Sequence, residues 1–181
     1  MITFGQNGCQ TFEIDPPFVC PDQSSDVVVG GAIHWLCEDE NSTWFDPRPR
    51  IILSFDLFEE KFHQIPNLDS EILEIYKISV LEGCLAITGA SRERYGSLEV
   101  HIWLLKEYGV KESWTKEFVI KESFGRLSPL FLLNSGTIVL FDDSKGLNSY
   151  DLKKDCFEDY AKLNQSIVAI GHAQSLVSPI F

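Results

Sequence analysis

A glycine returns at a fixed phase of this chain. Gly31, Gly83 and Gly136 stand 52 and 53 residues apart, and each interrupts an apolar run. The runs are VVVGGAIHWLC (27–37), KISVLEGCLAITG (77–89) and LSPLFLLNSGTIVLF (127–141). Each is followed by a polar loop and a second strand-like segment: RIILSFDL (50–57), LEVHIWLL (98–105) and LNSYDL (147–152). A short polar turn then leads to a third segment, beginning KFHQI, WTKEFVI or CFEDYAKL. In LEVHIWLL, Val100, Ile102 and Leu104 alternate with Glu99, His101 and Trp103, which is the period of a strand. Within SFDLFEEKF the polar turn lies between apolar flanks, the pattern of a β-hairpin.

A repeat near 50 residues holding several strands is the length of a propeller blade of the kelch-like kind. The expected class is therefore all-β, with about three antiparallel, propeller-like blades that form an incomplete propeller. Successive meanders in a sandwich are the competing architecture. The aromatics fit the blades. Phe55, Trp103 and Tyr150 recur in the second segment, and Phe62, Trp114 and Phe157 in the third. A small twisted sheet cannot bury its own faces, so its aromatics pack against the next blade. Trp35, Trp103 and Trp114 are accordingly assigned to the core. The tract EILEIYKI (71–78) runs directly into SVLEGCLAI and is read as a strand.

Composition supports a packed core, with 44% hydrophobic residues, 13 Phe, 4 Trp and 5 Tyr against a single Met. The net charge of −12 repels phosphate backbones and argues against nucleic acid as a partner. Five cysteines, Cys9, Cys20, Cys37, Cys84 and Cys156, show no CxxC spacing and read as unpaired thiols. Thiols of that kind suit a reducing compartment, cytoplasmic or nuclear. The first 15 residues carry no basic or long apolar stretch of a signal peptide, and no apolar run reaches membrane-spanning length.

The motifs of catalysis are missing: HExxH, GxSxG, a P-loop and GxGxxG do not occur. A non-enzymatic binding module without metal or cofactor is the expectation. His34, between Ile33 and Trp35, reads as a hydrogen-bonded structural histidine, and His63 and His101 as solvent-facing. Candidate contact residues lie in the loops after the first strand of each repeat (38–49, 91–97 and 142–146), because loops on a rigid scaffold carry recognition. Arg48, Arg50, Arg92 and Arg94 occupy equivalent loops of the first two repeats and predict a small basic patch. Asp142 and Asp143 open the third loop, whose DDSKG lacks calcium-loop spacing. Trp44, in the polar loop NSTWFDPRP, is the residue on which a glycan- or small-ligand-binding alternative would rest.

The order VVVGGAIHWL, IILSFDLFEEKFHQIP, LEGCLAI, LEVHIWLLKEYGVKESWTKEFVI, with AQSLVSP at 173–179, resembles the F-box-associated interaction domain of plant F-box proteins. The resemblance covers residues 26–181 and implies a propeller-like interaction domain there. Residues 1–25 are expected to be the remnant of a preceding blade. The resemblance also implies a protein-binding, substrate-recognition role in an SCF-type E3 ubiquitin ligase, with an unknown target protein as partner. A Skp-type adaptor would be reached only through an F-box, and no F-box pattern is present in these residues.

Overall fold

A computed structural model of the chain describes residues 2–4, 10–12, 18–19, 27–39, 50–66, 68, 74–92, 98–123, 126–142 and 146–158. The described residues are nearly all strand, as expected. The first blade runs β3 (Phe18–Val19), β4 (Val28–Val29), β5 (Ala32–Asp39), β6 (Ile51–Asp56) and β7 (Lys61–Ile65). Both β3 and β4 lie along the same edge of β5, so residues before 26 contribute to this sheet. The second blade is β8 (Glu74–Leu81), β9 (Cys84–Arg92), β10 (Leu98–Leu105) and β11 (Trp114–Ser123). The third is β12 (Leu127–Leu132), β13 (Thr137–Asp142), β14 (Gly146–Asp151) and β15 (Cys156–Glu158). A separate ribbon pairs β1 (Ile2–Phe4) with β2 (Gln10–Phe12). Each blade is an antiparallel meander, and among the described residues no sheet closes on itself. The tract assigned to a strand from EILEIYKI is one from Glu74 onward.

The recurring glycines sit where the backbone needs left-handed angles. Gly31, Gly83 and Gly136 have φ of 79°, 74° and 84°. Val29 pairs with Ala32 and Leu81 with Cys84, which leaves two-residue turns, Gly30–Gly31 and Glu82–Gly83, positive in φ at both positions. These are the primed turns whose twist matches that of the flanking strands. In the third blade the turn is longer: Gly136 N–H donates to Leu133 C=O at 2.9 Å, and Leu133 N–H to Thr137 C=O at 2.8 Å.

Register corrects half of the aromatic repeat. Phe62, Trp114 and Phe157 are equivalent, facing Phe55, Leu105 and Tyr150 across the outer strand pair. The counterpart of Phe55 and Tyr150 in the second blade is thus Leu105. Trp103 lies two residues earlier on the same face. The sequence spacing misaligned them because the second blade joins β10 to β11 through a longer loop, 106–113, closed by a single 3-10 turn at Lys111–Ser113.

Three apolar clusters show how the blades stack. Strands β9 and β10 are buried on both faces. Leu85, Ile87, Leu105 and Trp114 meet Ile52 and Ile65 of the first blade. Ala86, Ile102, Leu104 and Ile120 meet Leu127, Ile138, Leu140 and Tyr150 of the third. Trp35, Cys37, Leu53 and Phe55 form the third cluster, on the opposite face of the first blade. Cys84 and Cys156 are free thiols as expected. Cys37, wholly buried, is disulfide-bonded and departs from that expectation.

Polar contacts tie the blades together. The Tyr76 hydroxyl donates to Leu127 C=O at 3.0 Å and accepts from Leu127 N–H at 3.1 Å. The Trp114 indole N–H donates to Pro66 C=O at 2.8 Å.

Candidate interaction surface

A meander has two ends, and this chain dresses them differently. One end, the long-loop end after its β5–β6 connection, carries the connections between β5 and β6, β9 and β10, and β13 and β14, together with those between blades. The other carries the tight turns β4–β5, β8–β9 and β12–β13 and the hairpins β6–β7, β10–β11 and β14–β15. The strand ends that flank the three loops proposed from the sequence fall at one end, while residues 40–49, 93–97 and 143–145 themselves lie outside the described residues.

At that long-loop end, Arg50 stands immediately before β6, and its guanidinium pairs with the Glu38 carboxylate at the end of β5. About a quarter of the Arg50 side chain is exposed (24%), so the pair offers a partly spent charge. Arg92 closes β9 opposite Leu98. Trp44, Arg48, Arg94 and Asp143 lie outside the described residues. Asp142 departs from its expected role: it is 3% exposed, in register between Leu127 and Gly146, and presents no surface to a partner. The sequence reading missed Arg126. Its Nη2 donates to Glu74 Oε1 at 2.6 Å, and its guanidinium lies 5.4 Å from the Tyr76 ring, with half the side chain exposed. Only the fold brings Glu74 and Arg126 together, since they are separated by a whole blade in sequence.

His101 is buried rather than solvent-facing, at 6% exposure. Its Nε2 lies 3.0 Å from Glu99 Oε1 and 3.3 Å from Ser91 Oγ. Burial holds the imidazole below its ordinary pKa, helped by the Lys116 charge and opposed by Glu99. The ring is therefore neutral at neutral pH, and its contact with Glu99 is a hydrogen bond rather than an ion pair. Strand alternation separates the two faces of β10 but does not say that both are covered, which is why the residue was misplaced. His63, by contrast, is half-exposed as expected, 3.6 Å from Glu59.

At the turn end, the loop between β10 and β11 reaches back onto the first blade. His34, wholly buried, lies with Nδ1 3.2 Å from Val27 C=O and Nε2 2.9 Å from the Tyr108 hydroxyl. A carbonyl only accepts, so Nδ1 carries the hydrogen and Nε2 accepts from the phenol. Burial lowers the His34 pKa against the raising effect of the Val27 and Ala32 carbonyls. Burial raises that of Tyr108. The structural role expected of His34 holds. Gly30 serves this contact: a Cβ there would stand 3.1 Å from the Tyr108 ring.

The hairpins at this end share one device. Asp56 Oδ1 accepts from the N–H groups of Phe58 and Glu59, both at 2.8 Å. Asp151 Oδ1 does the same for Lys153 and Lys154, at 2.8 and 3.0 Å. Among the described residues, no group of three or more His, Cys, Asp or Glu side chains is placed to hold a metal ion.

A family model described as the F-box associated beta propeller domain matches residues 4–176. Among curated proteins, "F-box protein At3g07870" of Arabidopsis thaliana is 31% identical over 166 residues, covering 79% of this chain and 38% of that protein. "F-box protein CPR1" of the same plant is 29% identical over 175 residues, covering 80% and 38%. Its "F-box/kelch-repeat protein At3g23880" is 24% identical over 142 residues, covering 77% and 36%. The chain thus spans little more than a third of the length of these relatives.

Proposed function

This chain belongs to the F-box associated beta propeller domain family, and we propose that it is the substrate-recognition module of an SCF-type ubiquitin ligase. The family is a protein-interaction domain of F-box proteins. The observation that carries the reading is the family match over residues 4–176, joined to three stacked blades whose loops share an end. In this reading the blades are a rigid frame. The loops 38–49, 91–97 and 142–146 hold a target protein, and an F-box in the same polypeptide engages a Skp-type adaptor. Apolar clusters on both sides of β9 and β10 hold the strands that flank these loops.

The test compares the chain alone with the chain fused to an F-box, in plant tissue. The fused form should recover the Skp-type adaptor together with a ubiquitinated target, and the chain alone should recover the target without the adaptor. Replacing residues 40–49, 93–97 and 143–145 with Gly-Ser linkers should abolish target recovery while leaving the thermal unfolding midpoint within a few degrees. Target recovery that survives all three replacements would overturn the assignment of the loops. Ubiquitination that proceeds without this chain would overturn the function.

A further inference from the structure

The turn end of the first two blades exposes more apolar surface than its place in the fold explains. Phe58, at the tip of the β6–β7 hairpin, is 95% exposed, and Leu57 beside it 48%. Val28 is 52% exposed, Tyr108 39% and Val110 36%. The turns that carry these side chains meet. Leu57 N–H donates to Gly31 C=O at 3.1 Å, the Tyr108 ring lies against Gly30, and Val28 enters the same turn. The Tyr108 hydroxyl is anchored on buried His34, and the Phe58 backbone on Asp56, so the knobs stand on held backbone. Leu57, Phe58, Tyr108 and Val110 lie in turns and loops at the strand ends, and Val28 lies in β4 beside them.

Charge says what would cover them. The rim carries exposed Glu59, Glu60, Glu82, Glu107 and Glu112, against exposed Lys61 and Lys111. Lys106 is neutralised by Glu117 at 2.9 Å. An apolar cluster with an acidic rim is complementary to apolar anchors flanked by Lys or Arg. It is unsuited to an anionic lipid surface or to nucleic acid.

We propose that Val28, Leu57, Phe58, Tyr108 and Val110 form a second docking surface, opposite the long loops, for a protein segment with apolar anchors between basic residues. The proposal rests on the protein-recognition reading and adds a place and a chemistry to it. Tyr108 is of the residue type that dominates interface energies, and the Leu, Phe and Val side chains around it add apolar area. A partner engaged here leaves the long-loop end free for a second contact, so two segments can be bound at once.

The test uses the full chain and two fluorescent 12-residue peptides carrying the same Leu and Phe anchors, one set between Lys and Arg, the other between Asp and Glu. The basic peptide should bind at least tenfold more tightly, and more weakly as salt rises from 50 to 500 mM. Phe58→Ser and Val110→Ser should each weaken it at least fivefold. Arg50→Glu, at the other end, should leave it unchanged. Both serine variants are surface changes, and an unaltered melting midpoint confirms that the blades persist. Equal binding of the two peptides, or full affinity in Phe58→Ser, overturns the proposal. So does self-association of the chain that Phe58→Ser abolishes, since a second copy would then be the occupant. These readouts need no ligase. Peptide binding without target ubiquitination removes the ligase reading and leaves the surface standing, and the converse result does the reverse.

Discussion

At the residue scale the informative groups are the two buried histidines. His34 and His101 are both held below the ordinary value of 6.5, chiefly by burial. A group whose folded pKa is depressed binds fewer protons native than unfolded, so stability rises with pH across the interval between the two values. For histidine that places the loss below pH 6.5, as the unfolded chain takes up protons that the folded chain refuses. Asp56 and Asp151 are depressed as well, by backbone N–H donors, but from 3.8, so their contribution disappears only at more acid pH. Lowering the pH from 7.5 to 5.5 should therefore reduce the melting midpoint, and the double variant His34→Gln, His101→Gln should flatten that slope. An unchanged slope in the double variant would show that other groups carry the acid sensitivity.

At the element scale the turns explain both what the sequence discloses and what it hides. The glycine period was readable because each of Gly31, Gly83 and Gly136 fills a left-handed turn position, and a primed turn admits few other residues. The blade count and the strand assignments followed from that period. The aromatic alignment failed at Trp103 because the β10–β11 connection is longer than its counterparts, and spacing cannot locate an insertion. His101 failed for a different reason, since alternation marks faces without saying which are covered. Asp142 was read from its acidic neighbours, yet register places it in the interior strand β13, between Leu127 and Gly146. The pairing of Glu74 with Arg126 exists only after two blades stack. One turn also offers a stabilising change. Glu82 is exposed, with φ of 52°, before Gly83. Glu82→Asn creates the Asn-Gly pair that primed turns favour and should stabilise the protein by about 0.5 kcal/mol, on the scale of relieved turn strain. Urea denaturation with an unchanged m-value measures it, and a lower midpoint would refute it.

At the scale of the whole molecule, the apolar clusters among the described residues join each blade to its neighbour, so stability should behave as a chain of linked units. One residue joins the second and third blades by both packing and hydrogen bonds. Leu127 is completely buried, belongs to the apolar cluster between those blades, and has both backbone groups satisfied by the Tyr76 hydroxyl. Tyr76→Phe keeps the ring and leaves that N–H and C=O unpaired, which should destabilise the third blade by about 1–3 kcal/mol. Leu104→Ala opens a cavity in the same cluster and should cost about 2–5 kcal/mol. Because the two changes share Leu127's surroundings, their effects should not add. Native-state hydrogen exchange separates linked units from a single cooperative one. In linked units, amides of β13 and β14 lose protection by the full destabilisation in either variant, while those of β6, on the far side of the second blade, lose only part of it. Equal losses in β6 and β13 would mean that all three blades unfold together. In that case the long loops and the apolar turn end would rise and fall as one structure, and neither surface could be weakened through the blade contacts without weakening the other.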